Sequence, residues 1–376
     1  MRMKNICIMV GARPNFIKVA PLIWAIHKVQ SEGKDINFNL VYAGKEDDPT
    51  LEPTLFHDLQ IAPPDVFLGV DCVSLNELTG CVMAQFENYL NTHTTDVVIV
   101  VDDLASTMAA AIVTKKCGIK LAHIVAGTRS FDMKMPKEIN RLVIDGLSDY
   151  LFTAGAGACS IVTREGAEMS QIYMVGNILI DTLRHNRDRF IEPKLSFVSQ
   201  QNVHIHTNDE VQQALQTGKY IVFTLNRRAL IANKDNLSKM LTALVQSAHN
   251  IPIIAPLRGM ACETILALAD SLPNFYIVEP LNYLEFGWLT AHALGVVTDS
   301  GNVAEEATFN AVPCITLNSY TEHIETVNVG SNVLVGEDAQ KLCLATEEMA
   351  CGKWKKSALP DRWDGRTAER IIQILA

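Results

Sequence analysis

Short apolar runs rich in β-branched residues alternate with longer segments of helical spacing along almost the whole chain, and this alternation limits the fold more than any other feature. Ile6–Val10, Phe38–Tyr42, Val97–Val101, Leu121–Ile124 and Tyr150–Thr153 read as strands. Phe16–Ser31, Leu75–Leu90, Thr107–Cys117 and Glu138–Leu147 between them carry apolar residues at helical spacing. The pattern resumes with strands at Tyr220–Thr224, Ile251–Ala255, Phe275–Val278, Gly295–Thr298 and Cys314–Leu317, and helices at Leu237–His249, Tyr283–Ala291 and Val303–Phe309. Continuously apolar strands with helical crossovers imply parallel sheets covered on both faces. A chain of 376 residues exceeds one typical core, so two doubly wound α/β domains are expected, over 1–180 and 181–360. The polar stretch Asn186–Asn208 reads as surface structure near the hinge, and Thr367–Ala376 as a short amphipathic helix. Ligands of such folds bind at the carboxyl ends of strands, and a cleft between two sheets suits a large polar substrate.

Charge and cysteine usage exclude several function classes. A net charge of −10 argues against a nucleic-acid binder, which needs a basic face. The nine cysteines form no C-x-x-C pair, and so read as free thiols in a reducing compartment, neither a disulfide framework nor a zinc site. No apolar run reaches the length of a membrane span, and the N-terminal run reads as a first strand and not as a signal peptide. The expected address is cytoplasmic, with no metal and no cofactor.

Five stretches concentrate polar residues at strand ends. Thr298-Asp299-Ser300-Gly301-Asn302 leads from a strand into a helix carrying Glu305 and Glu306, which offers free N–H groups and a positive dipole end to an anion such as a diphosphate. The same residues fit an ordinary βα turn with an Asn302–Glu305 capping box. Arg13 and Lys18 follow the first strand and suit a phosphate or carboxylate, or are solvated. Asp102 and Asp103 end another strand, as base, hydroxyl ligand or helix cap. His123 to Arg129, then Pro136 to Arg141, bring Arg129, Asn140 and Arg141 near a third strand end, for the cleft or for structure within the domain. Arg227 and Arg228 follow the first strand of the second half, as a diphosphate clamp or a solvated pair.

Together these stretches resemble the non-hydrolysing UDP-N-acetylglucosamine 2-epimerases. The family motifs G-x-R-P-E-x-I-K, G-Q-H, H-G-D-T, H-V-E-A-G-L-R, P-E-E-x-N-R, T-G-N, T-x-H-R-R-E-N, T-D-S-G-G-x-Q-E-E and T-E-R-P-E are met here, in order, by GARPNFIK, AGK, VDDL, HIVAGTR, PKEINR, VGN, TLNRRAL, TDSGNVAEE and TEHIE. The resemblance implies two Rossmann-like domains facing a cleft in the GT-B-like manner, with 361–376 packing back on the N-terminal domain. It also implies UDP or a UDP-sugar as ligand, a homodimer, and a role in polysaccharide biosynthesis. Arg13, Lys18, Arg227, Phe286, Ser300, Gly301 and Glu306 match positions expected on the UDP moiety.

The departures fall on the chemistry. The family eliminates UDP to give a glucal and adds it back with C2 inverted, which needs a placed base and acid and a stabilised diphosphate. Of the family's acid/base positions only Asp103 keeps its residue, while Val125, Lys137 and Asn226 stand at the others. Glu46 and His323 replace a His and an Arg elsewhere, and Asn302 replaces a glycine, narrowing a phosphate's approach. Three expectations follow: epimerisation of UDP-N-acetylglucosamine with a set rearranged among Asp103, Asp102, Glu138 and His123; nucleotide-sugar binding without turnover, as a regulator or inactive subunit; or sugar transfer on a similar scaffold. A second, regulatory UDP-sugar site is not expected, because its family positions are altered.

Overall fold

A computed structural model describes residues 3–51, 53–198, 209–268 and 272–376. The strands among them are β1 (Lys4–Val10), β2 (Ile36–Tyr42), β3 (Val66–Phe67), β4 (Val97–Val101), β5 (Lys120–Ala126), β6 (Tyr150–Thr153), β7 (Ile172–Met174), β8 (Ile221–Phe223), β9 (Ile253–Pro256), β10 (Phe275–Val278), β11 (Gly295–Thr298), β12 (Cys314–Thr316) and β13 (Asn332–Leu334). The chain divides into two compact units, one of Met1–His185 with Asp361–Ala376 and one of Asn186–Pro360.

The first unit holds a parallel seven-stranded sheet in the order β3-β2-β1-β4-β5-β6-β7. Val97–Val101 is buried throughout, which is why it reads as a continuous apolar run and does not alternate. The strand order reverses beside β1, so the carboxyl ends of β1 and β4 diverge there and leave a crevice. The closing helix Thr367–Leu375 packs on Arg13–Ser31. The Asp181 carboxylate accepts the N–H groups of Thr367 (3.1 Å) and Ala368 (2.7 Å) at its first turn.

The second unit holds a parallel six-stranded sheet in the order β10-β9-β8-β11-β12-β13, whose reversal lies at β8 and β11. Apolar clusters fill both its faces, one around Leu241, Phe223 and Ile315, the other around Tyr220, Leu289 and Val296.

Three strands escape the sequence reading. β3, β7 and β13 have two or three residues each, too few to show a period, and all lie at or next to sheet edges. Asn186–Asn208 also differs from a surface segment: Leu195 and Phe197 are buried, and Phe197 bridges to Val278 beside the edge strand β10. The remainder of that stretch, 199–208, lies outside the described residues. Among the described residues no helix is long and apolar enough to cross a membrane, and no cluster of side chains could hold a metal ion.

Candidate functional site

Both switch points carry the polar residues singled out above, one set in each unit. In the first unit Gly11 follows β1, and a Cβ there would stand 1.9 Å from the Ser106 hydroxyl oxygen, so a larger residue would force Ser106 to move. The next helix begins at Arg13, with Pro14 suited to its first turn. Lys18 is buried and its Nζ lies 2.6 Å from Oδ1 of Asp102, while Asn15 donates to Oδ2 at 3.1 Å. Asp102 therefore stitches the helix after β1 to the end of β4, and neither it nor Lys18 is a loosely solvated charge. Asp102 takes a left-handed backbone (φ 60°), which a short polar residue tolerates. The helix after β4 starts at Ala105 with Leu104 at its N-cap, so neither aspartate caps it.

Asp103 is buried against two cations and one amide. Arg141 reaches Oδ2 with Nε (2.8 Å) and Nη2 (2.6 Å), Lys137 approaches Oδ1 at 3.2 Å, and Asn140 donates to its carbonyl at 2.8 Å. Burial pushes the Asp103 carboxyl up, but Lys137 and Arg141 outweigh it and hold its pKa below the usual value. The arrangement keeps Asp103 ionised, as a base or hydroxyl acceptor requires, with Lys137 as the exposed partner.

The other acid/base candidates are fully engaged. Glu138 is buried and accepts from the N–H of Ser130 (2.9 Å) and Phe131 (2.8 Å) and from the Ser130 hydroxyl, clamping the loop after β5. His123 is buried between Asp145, 2.6 Å from Nδ1, and the Asp102 carbonyl, 3.0 Å from Nε2. Asp145 also accepts from Gly127 N at 3.0 Å and pairs with Arg129 at 2.7 Å, and Arg129 continues to Glu165. Glu138, His123, Arg129 and Arg141 thus build the loop, leaving Asp103 as the carboxylate of this cluster faced by an exposed cation. Val125 has φ 72° at a register shift between β5 and β6, a left-handed conformation that a β-branched residue adopts only under strain.

In the second unit the strand ends of β8 and β11 are tied together. The Thr224 and Thr298 hydroxyls lie 2.6 Å apart. Asp299 Oδ2 accepts the N–H groups of Asn226 (2.8 Å) and Arg227 (2.5 Å), and the Asp299 carbonyl accepts from Asn318 Nδ2 at 3.0 Å. Burial pushes the Asp299 carboxyl up against these bonds. Arg227 extends to the Asn318 Oδ1 (3.0 Å) and to Glu337 (3.2 Å). Asp299 and Asn318 were not singled out as site residues, since a lone Asp or Asn at a strand end carries no spacing signal.

The helix Gly301–Phe309 follows with Ser300 at its N-cap and no side-chain capping bond, so the Asn302–Glu305 capping box does not form. Its first-turn N–H groups have no intrahelical acceptors. Glu305 and Glu306 are buried, and His323 Nε2 stands 3.6 Å from Glu305. A Cβ at Gly301 would come 3.5 Å from Oε2 of Glu322, so an acidic side chain stands near this helix start. Phe286 is half-buried on the helix Tyr283–Ala291, which an Asn282–Glu285 capping box begins. The structure therefore places Arg227, Phe286, Ser300, Gly301 and Glu306 in the second unit and Arg13, Lys18 and Asp103 in the first.

A family model described as UDP-N-acetylglucosamine 2-epimerase matches residues 28–376. The chain belongs to the UDP-N-acetylglucosamine 2-epimerase family. It is 33% identical over 380 residues to a UDP-N-acetylglucosamine 2-epimerase of Methanocaldococcus jannaschii, covering 99% of this chain and 98% of that protein. It is 30% identical to a UDP-2,3-diacetamido-2,3-dideoxy-D-glucuronate 2-epimerase of Pseudomonas aeruginosa, covering 99% of each. Among solved structures, the Methanocaldococcus jannaschii epimerase in complex with UDP-GlcNAc and UDP aligns with a TM-score of 0.81 at 32% identity, over 99% of both chains. The two doubly wound sheets are thus the Rossmann-like pair of this GT-B-like epimerase family.

Proposed function

We propose that this chain binds UDP-N-acetylglucosamine or a closely related UDP-sugar and interconverts its gluco and manno forms at C2. In this reading the diphosphate lies at the start of the helix Gly301–Phe309, on Ser300 and Gly301. Glu306 takes the ribose, Phe286 stands beside the uracil, and Arg227 supplies positive charge. Arg13, Lys18 and Asp103 serve the sugar side. The observation that carries the proposal is the pair of tied strand ends at β8 and β11. Asp299 and the two threonines fix the loops on either side of the helix start, so an anion would meet N–H groups already in place. Asp103, held as an anion by Arg141 and Lys137, is the group proposed to handle the proton. The proposal extends to a cytoplasmic homodimer acting in polysaccharide biosynthesis.

A second reading, binding without turnover, is favoured by one specific observation. Lys137 and Arg141 keep Asp103 ionised but make it a weaker base, while Val125 and Asn226 at the other family positions cannot move a proton. Incubation with UDP-N-acetylglucosamine in deuterium oxide, followed by proton NMR at C2, decides between them. Deuterium at C2 with the manno epimer supports turnover. No exchange while UDP still binds by calorimetry overturns turnover on that substrate. UDP-2,3-diacetamido-2,3-dideoxy-D-glucuronate, the sugar in the Pseudomonas aeruginosa relative's name, is the second substrate to test.

A further inference from the structure

The segment Ser130–Met135 joins the loop after β5 to the helix Pro136–Leu147. Glu138, buried in the first turn of that helix, turns back to accept the N–H groups of Ser130 (2.9 Å) and Phe131 (2.8 Å) and the Ser130 hydroxyl (2.9 Å). It also pairs with Arg141 at 3.2 Å, and Arg141 in turn holds Asp103 at 2.6 Å. Phe131 therefore stands two side chains away from the Asp103 carboxylate. Burial pushes the Glu138 carboxyl up, but the Ser130 and Phe131 bonds and Arg141 outweigh it and keep the clamp ionised. Beyond Phe131 the segment closes on itself: Asp132 Oδ1 accepts Lys134 N at 3.0 Å, and the Asp132 carbonyl accepts Met135 N at 3.0 Å.

This clamp fixes a conformation that an aromatic residue rarely adopts. Phe131 has φ 59°, in the left-handed region where a bulky side chain is strained. Burial of the ring could offset that strain, yet Phe131 is 75% exposed and Met133 is 61% exposed. Packing within the fold does not explain either side chain. A buried carboxylate thus holds two apolar groups out into solvent at the carboxyl end of β5, next to the cluster that carries Asp103. Backbone strain of this kind collects at ligand clamps.

We propose that Phe131, with Met133 beside it, is the apolar wall for the acetamido methyl at C2 of the sugar, and so sets a preference for N-acetylated over plain hexose substrates. The inference rests on the UDP-sugar reading and on Asp103 acting at C2. The C2 proton and the C2 substituent share one carbon, so a carboxylate placed for the first has the second close by. The acetamido group ends in a methyl, which gains only from an apolar surface. Asp103, Lys137, Asn140 and Arg141 offer charges and an amide, while Phe131 and Met133 offer that surface. A few polar groups set against an apolar wall are the usual make-up of a small-molecule site.

Calorimetry on the full chain with UDP-N-acetylglucosamine, UDP-glucose and UDP tests this. The wild type should prefer UDP-N-acetylglucosamine to UDP-glucose by roughly fivefold, about the value of burying one methyl. Phe131→Asn removes the ring and places a residue that tolerates φ 59°, so thermal stability should hold or rise. In that variant the affinity for UDP-N-acetylglucosamine should fall by roughly fivefold, with UDP-glucose and UDP unchanged, so that the preference disappears. Phe131→Leu, which keeps an apolar side chain, should retain it. A preference undiminished in Phe131→Asn, or an equal loss for all three ligands, would overturn the assignment while leaving the UDP-sugar reading intact. Binding of UDP but of neither sugar nucleotide to the wild type would overturn that reading, and this inference with it.

Discussion

Asp145→Asn tests whether the loop after β5 is held by charge. The buried Asp145 carboxylate meets His123 Nδ1 at 2.6 Å, Arg129 Nη2 at 2.7 Å and Gly127 N at 3.0 Å. Asparagine keeps the shape but has one acceptor oxygen, so it cannot serve donors on both sides. Breaking a buried ion pair by removing one partner costs about 3–5 kcal/mol. Here Arg129 keeps Glu165, with Nε at 2.9 Å from Oε1, so the lower end, about 3 kcal/mol, is expected. That is a large share of a typical domain's stability. Burial raises the Asp145 carboxyl, but His123, Arg129 and the Gly127 N–H outweigh it and hold it low. A depressed carboxyl stabilises the fold above its ordinary pKa of 3.8 and loses that contribution as pH falls through the lower folded value. The deficit of the variant should therefore be full at neutral pH and shrink below about 3.8. Hydrogen exchange reads this directly, with β4, β5 and the helix Pro136–Leu147 as probes and the second unit's β8 and β11 as internal reference. A loss under about 1 kcal/mol, or an equal loss in the second unit, would refute the reasoning.

Three further outcomes follow from single contacts. Val125→Asn places a residue that tolerates φ 72° where a β-branched one is strained, and should raise the exchange protection of β5 by about 1 kcal/mol; a loss would mean that Val125 packing outweighs the strain. Glu322→Gln removes a carboxylate near Gly301 and should tighten UDP by roughly threefold in calorimetry, whereas weaker binding would show Glu322 to be a ligand-side contact. Burial lifts the Asp181 carboxyl to about 6, so the folded state holds a proton that the unfolded state loses above 3.8; protection of Thr367–Leu375 should grow as pH falls through 6 and stay flat in Asp181→Asn. A wild-type profile as flat as the variant's would contradict that assignment.

The chain's two sheets were legible because their central strands are buried on both faces. Val97–Val101 and Gly295–Thr298 stand out as apolar runs for that reason. β3, β7 and β13 were not, since a two- or three-residue edge strand is defined by its neighbour's backbone and not by its own pattern. The strand-end motifs were legible as polar clusters, but their division of labour was not. His123 and Glu138 read as acid/base candidates, yet both turn inward to hold the loop after β5. Whether a carboxylate or imidazole serves a ligand or its own backbone depends on which N–H groups lie within reach, and that is set by packing between elements far apart in sequence. Asp299 illustrates the converse: its bonds to Asn226 and Arg227 span more than seventy positions, and nothing local announces them.

The central claim is that the turn after β11 receives a diphosphate. Calorimetric titration with UDP of the wild type and of Gly301→Ala tests it most directly. The added methyl meets Glu322 at an ordinary 3.5 Å, so folding is unaffected, but it narrows the approach to the helix start. UDP binding to the wild type, weakened by roughly tenfold or about 1.4 kcal/mol in Gly301→Ala at unchanged thermal stability, is the predicted result. No UDP binding to the wild type, or equal affinity in the variant, would contradict it.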